Sequence, residues 1–281
     1  MEIELIPLIL AFFAAFLVGF SKTGVVGLGV LIVPIMAAVF GAKPSVGVLL
    51  PMLIFADIFA VVYYRRHAQW GLLIRLLPWV LPGIVVGFFT LRAVSSEQLA
   101  PMLGILVLAL ITLNYFKERR GEWLEEHLPK QWWFSAVMGF LAGFTTTVGN
   151  AAGPIMIIYL LSMGLRKREF MGTGAWYYLI VNTLKIPFFA MIPLPDDPSR
   201  GLINASSLLF NLKAAPLIAA GALTGILVFN ALPQKWFKRV VLGLALVAAL
   251  RLTFGGIFDR KPAEPPVSGS SAQSDVIASE P

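Results

Sequence analysis

Lys22 stands between Ser21 and Thr23 in the stretch GFSKTG, with apolar runs on either side. A second polar break, GFTTTVGN, sets Thr145, Thr146, Thr147 and Asn150 in the same kind of surroundings in the second half of the chain. Hydroxyls and a carboxamide can donate to oxygens of an anion, and an ammonium adds charge to the same task. If helices begin after Gly24 and after Asn150, their free N–H groups and dipoles favour an anion as well. The expected substrate-binding set is therefore Ser21, Lys22, Thr23, Thr145, Thr146, Thr147 and Asn150, arranged around a small anionic substrate. Two plainer readings stand beside it: Lys22 snorkels to the interface from an ordinary loop, and the Ser and Thr residues cap helices or close turns.

Asp57 and Lys185 lie inside apolar segments, Lys185 just before Pro187. Burying either at mid-membrane costs about 2.5–3.5 kcal/mol on insertion scales, so each needs a partner or an aqueous cavity. They can pair with each other and lock two helices, or serve coupling and charge balance together with Asn182. In the second reading Asp57 carries a coupling proton and Lys185 keeps the anion path electropositive. Pro187 frees a backbone carbonyl nearby, or simply kinks its helix.

Other chemistry finds little support. The chain has no cysteine, which removes disulfides and thiolate sites. His67 and His127 both fall in charged connections with no His-Glu-x-x-His pattern, so no metal site and no cofactor are expected. Ser21 beside Lys22 is not a nucleophile and base, because adjacent helical residues do not face each other. No catalytic residue is assigned. A membrane-embedded enzyme and a non-transporting membrane scaffold subunit are the alternatives to a transporter.

These residues sit in a chain of 281 residues that is 58% hydrophobic and 13% charged, with mean hydropathy +0.82. Soluble domains carry roughly 25% charged residues, so the composition is that of an all-α polytopic membrane protein surrounded by a lipid bilayer. The net charge of +7 does not indicate nucleic acid, since the Lys and Arg residues cluster between apolar runs as the positive-inside rule requires. The acidic start MEIE lacks the basic region of a signal peptide, so the first apolar run is expected in the mature protein.

Ten apolar segments are expected as helices. They are Leu5–Phe20, Gly24–Phe40, Val46–Tyr64, Leu76–Leu91 and Leu99–Phe116, then Trp132–Thr147, Val148–Met163, Gly172–Ile192, Ala214–Phe229 and Val240–Phe258. This divides the chain into a first transmembrane repeat at 1–116, a polar linker at 117–131, a second repeat at 132–258 and a Pro- and Ser-rich disordered tail at 259–281.

The halves align. GFSKT matches GFTTT, Gly29 falls opposite Gly153, Asp57 opposite Asn182, Ala60 opposite Lys185, and Pro78 with Gly87 opposite Pro216 with Gly225. Five crossings per half would invert the second copy, and then the clusters at Arg65-Arg66 with Arg75, Lys117 to Arg120, Arg166-Lys167-Arg168, and Lys235 with Lys238-Arg239 all share one side. The first two segments of each half are short enough to be re-entrant or broken half-helices, with SKTG and TTTVGN as tips near the midplane.

The stretches GFSKTGVVGLGVLIVPIM, LIFADIFAVVYYRRHAQW and GFTTTVGNAAGPIMIIYLLSMGLRKREFMGTGAWYYLIVNTLKIPFF resemble the sulfite exporter TauE/SafE family of membrane permeases, within the 4-toluene sulfonate uptake permease superfamily. The resemblance runs from about Leu8 to Phe258. It implies a multi-pass permease of a bacterial inner membrane that carries sulfur-containing anions such as sulfite, sulfoacetate, thiosulfate or other small sulfonates.

Overall fold

The computed structural model describes residues 5–24, 29–119 and 131–229. Nine helices occupy them: α1 (Leu5–Thr23), α2 (Gly29–Phe40), α3 (Ala42–Tyr64), α4 (Trp70–Ala93), α5 (Ser96–Arg119), α6 (Trp132–Gly149), α7 (Gly153–Ser162), α8 (Lys167–Met191) and α9 (Ala205–Phe229). A 3-10 turn at Arg65–His67 extends α3, and one isolated bridge joins Pro193 to Gly201. The expected segment Val240–Phe258, the tail and most of the linker lie outside the described residues.

Helices dominate because backbone groups in lipid must bond within their own segment. By length and apolarity Leu5–Thr23, Ala42–His67, Trp70–Ala93 and Ala205–Val228 can each cross a bilayer, so the protein is an integral membrane protein. Leu5, Ile6, Ile74, Phe89 and Leu212 project outward, where lipid rather than water meets them. The second arm of each initial pair is short. With 12 and 10 residues, α2 and α7 reach only about 18 and 15 Å of a core about 30 Å thick.

The first arms are longer than the sequence suggested. Helix α1 continues through Ser21 and Lys22 to Thr23, and α6 continues through all three threonines to Gly149. The polar residues do not break these helices because their hydroxyls bond back along them. Ser21 Oγ donates to Val18 O at 2.9 Å, Thr145 Oγ1 to Leu141 O at 2.8 Å and Thr147 Oγ1 to Gly143 O at 2.8 Å. The break in the second half comes at Asn150, in the left-handed region at φ 52°, where the short polar side chain of asparagine tolerates a turn other residues resist. Helices α2 and α7 then start at Gly29 and Gly153, the glycines that the repeat alignment pairs.

Glycines set the packing. An added Cβ on Gly19 would lie 1.9 Å from Ile218 O, and one on Gly221 would lie 2.0 Å from Phe16 O, so α1 and α9 touch backbone to backbone. The same contact recurs between α4 and α6: Gly143 faces Val80 O and Gly83 faces Phe140 O, each at 2.2 Å from the added atom. In membranes, where lipid removes the hydrophobic drive between helices, small residues at GxxxG spacing allow such close approach. Gly83 with Gly87 and Gly221 with Gly225 are both of this form. Helix α9 thus packs on α1, and α4 on α6, through matching glycine contacts.

Helices α3 and α8, third in their halves, pack on each other in opposite directions. Gly172 near the start of α8 lies against Tyr64 O at the end of α3, while Gly47 near the start of α3 lies against Leu202, beyond the end of α8. One end of the molecule therefore carries both Arg65-Arg66 and Arg166-Lys167-Arg168. At the opposite end the buried Lys43 ammonium donates to Arg92 O and Val94 O, closing the C-terminus of α4.

Candidate functional site

Where α3 and α8 cross, Asn182 Nδ2 donates to Asp57 Oδ2 at 2.7 Å. The Lys22 ammonium, from the last turn of α1, approaches Asp57 Oδ1 to 2.8 Å as an ion pair, without the alignment of a regular hydrogen bond. The same ammonium lies 3.8 Å from the centroid of the Tyr178 ring, where the negative face of the aromatic ring attracts a cation. Asp57 is 0% exposed and the Lys22 side chain 12% exposed, so the cation is the member of the pair that reaches open space.

The expected contact between Asp57 and Lys185 is not formed. Lys185 Nζ instead donates to Thr146 O at 2.9 Å, Thr146 Oγ1 at 2.9 Å and Asn150 Oδ1 at 2.7 Å. Three neutral acceptors match the three N–H bonds of the ammonium. Asn150 Nδ2 in turn donates to Val46 O at 3.0 Å, tying the turn after α6 to α3. Helix packing decides the partners: α6 brings Thr146 beside Lys185 on α8, and α1 brings Lys22 beside Asp57 on α3.

A cavity opens beside this centre, bounded by α1, α2, α3, α6, α7 and α8 and the turn after α6. Its polar wall comprises Ser21, Lys22, Asp57, Thr146, Asn150, Tyr178 and Asn182. The remainder is largely apolar, with Ile32, Leu53, Met156, Leu160 and Phe170 among the lining side chains. Gly29 and Gly153, which begin the two short helices, also border it.

Of the predicted site residues, Ser21, Lys22, Thr146 and Asn150 reach the cavity together with Asp57 and Asn182. Lys185 stands behind Thr146 and Asn150. Thr23, Thr145 and Thr147 do not border the cavity. Thr23 Oγ1 donates to Ala222 O at 2.7 Å across the α1 and α9 contact, while Thr145 and Thr147 bond to carbonyls of α6. Sequence reasoning missed Tyr178, whose signal was nevertheless present: 178, 182 and 185 follow i, i+4, i+7 spacing and share one face of α8. Among the described residues no cluster of His, Asp or Glu forms a metal site.

Membrane-crossing helices around a buried polar centre with an adjoining cavity define a polytopic membrane protein with an internal site. Residues 11–252 match the family model described as TauE, sulfite exporter TauE/SafE, and the chain belongs to that family. Membership makes it a membrane transporter of small anions. Comparisons with curated proteins and with solved structures returned no match.

Proposed function

We propose that the protein carries a small sulfur-containing oxyanion or organosulfonate, of the kind of sulfite or sulfoacetate, across a bacterial inner membrane, with the cavity beside Lys22 as its binding site and a proton as coupling ion. The observation that carries this reading is the Lys22 ammonium at the cavity wall, with a second buried lysine, Lys185, behind Thr146 and Asn150 of the same wall. The apolar walls suit a ligand with one charged end, and the neighbouring amides of Asn150 and Asn182 suit its oxygens. Exchange of labelled sulfite and small sulfonates in liposomes holding the purified protein tests the reading, and absence of exchange of any of them would reject it.

Lys22→Gln should weaken binding of every such anion by about tenfold or more, since a hydrogen bond to a charged group contributes about 1.5–3 kcal/mol. Asn150→Ala should instead change the order among anions, because it removes the acceptor that orients Lys185. Thermal stabilisation by each anion provides the measurement. Unchanged binding in Lys22→Gln would leave the lysine with a purely structural role.

The same proposal includes an inverted repeat with the basic end in the cytoplasm. Its support is the opposite direction of the equivalent helices α3 and α8 and the shared position of two basic clusters. The absence of cysteine makes single-cysteine labelling clean. Arg66→Cys and Lys167→Cys should be protected from an impermeant reagent added to intact cells, and Ser96→Cys should react. Labelling of Arg66→Cys from outside would overturn the orientation.

A further inference from the structure

The charges at the centre of the molecule do not cancel. Lys22 and Lys185 are cations, and Asp57 is the one buried carboxylate among the described residues. Lys43, the other buried cation, is engaged at the far end of α3 by the carbonyls that close α4. Among the described residues, the groups acting on Asp57 are Lys22 from α1 and Tyr178, Asn182 and Lys185 from α8; the described side chains of α2, α5 and α9, which also pack on α3, bring no titratable group to it. Taken as the ammonium that its three acceptors fit, Lys185 leaves the centre with one uncompensated positive charge in surroundings where such a charge is costly.

We infer that Asp57 sets the valence of the cargo: the centre accepts one net negative charge, so that a monovalent anion binds alone and a divalent anion binds together with one proton on Asp57. This rests on the reading of the cavity as the anion site. An anion that engages Lys22 from the cavity side competes with Asp57 Oδ1 for the same ammonium. With a monovalent anion the centre becomes neutral and Asp57 stays ionised. With a divalent anion a surplus negative charge remains, and the group able to remove it is the carboxylate whose cation is being shared. The proton comes from water in the cavity and adds to Oδ1, because Oδ2 is held by the Asn182 amide. The hydroxyl so formed can donate to an oxygen of the bound dianion.

The test uses the full chain in lipid nanodiscs and two probes whose charges are constant between pH 6 and 8, methanesulfonate and sulfate, with binding measured by calorimetry. For the unaltered protein the Kd for methanesulfonate should vary less than twofold over this range. The Kd for sulfate should rise about tenfold per pH unit, as uptake of one proton with the ligand requires. Asp57→Asn raises the net charge of the centre by one, so sulfate binding should become independent of pH and exceed that of the parent at pH 8. Lys185→Met lowers it by one, so binding of methanesulfonate should acquire the tenfold slope; this arm remains decisive where Asp57→Asn does not fold. The inference fails if sulfate binding to the parent has no pH slope, if the slope persists in Asp57→Asn, or if Lys185→Met leaves methanesulfonate binding independent of pH. Failure of the parent to bind either probe would overturn the anion site itself, an outcome distinct from binding that ignores valence.

Discussion

Asp57→Leu should lower the stability of the folded protein by about 3–5 kcal/mol, the usual cost of removing one partner from a buried ion pair. The leucine leaves the Lys22 ammonium with the Tyr178 ring but no carboxylate. Adding Lys22→Met in the same chain should recover most of the loss, since two apolar side chains of similar size carry no orphaned charge into the core. Lys185→Met should recover less, because Lys185 is held by Thr146 and Asn150 and makes no direct contact with Asp57. Denaturant titration in micelles of the single and double variants closes the cycle. Rescue by Lys185→Met but not by Lys22→Met would show that the pairing at the centre has been assigned wrongly. The rescued double variant should be folded and yet bind anions about tenfold more weakly than the parent, which separates the structural from the ligand-binding role of Lys22.

The second large effect concerns the glycine contacts between helices. Gly143→Ala and Gly19→Ala should each cost about 1–3 kcal/mol, the range for overfilling a packed site. Their added carbons would lie 2.2 Å from Val80 O and 1.9 Å from Ile218 O, and these neighbours are backbone atoms that cannot rotate aside. The whole of α4 or α9 must move outward. Gly71→Ala, on α4 with nothing within 4 Å of the added carbon, should be neutral or gain up to about 1 kcal/mol from reduced chain entropy. Melting temperatures of the three variants give the comparison. Equal values for Gly143→Ala and Gly71→Ala would exclude close glycine packing as the basis of these helix pairs.

Much of the helical order was legible in the sequence because apolar runs bounded by polar residues leave little choice of structure in lipid. Gly29 and Gly153, which the alignment of the halves pairs, each begin a short helix, whereas the contact of Asp57 with Asn182 joins two aligned positions that the alignment did not place together. The use of the hydroxyls was not legible. Ser and Thr can donate to a ligand or to their own helix with equal ease, and only the backbone geometry shows that Thr145 and Thr147 do the latter. Nor could spacing reveal that Asp57 would choose Lys22 over Lys185. That choice depends on how α1 lies against α3, a tertiary contact with no local signature.

The packing of α9 on α1 also constrains the order in which the protein can be assembled. Thr23 donates to the carbonyl of Ala222, a partner 199 residues further along. At about 5–20 residues per second of synthesis, α1 waits roughly 10–40 s before α9 exists. Until then its glycine face and the Thr23 hydroxyl must be sheltered by lipid, by the insertion machinery or by the neighbouring α2 and α3. The helix that presents Lys22 is therefore inserted early and seated late, and a ribosome that stalls after α5 releases a chain whose first helix has no backbone partner.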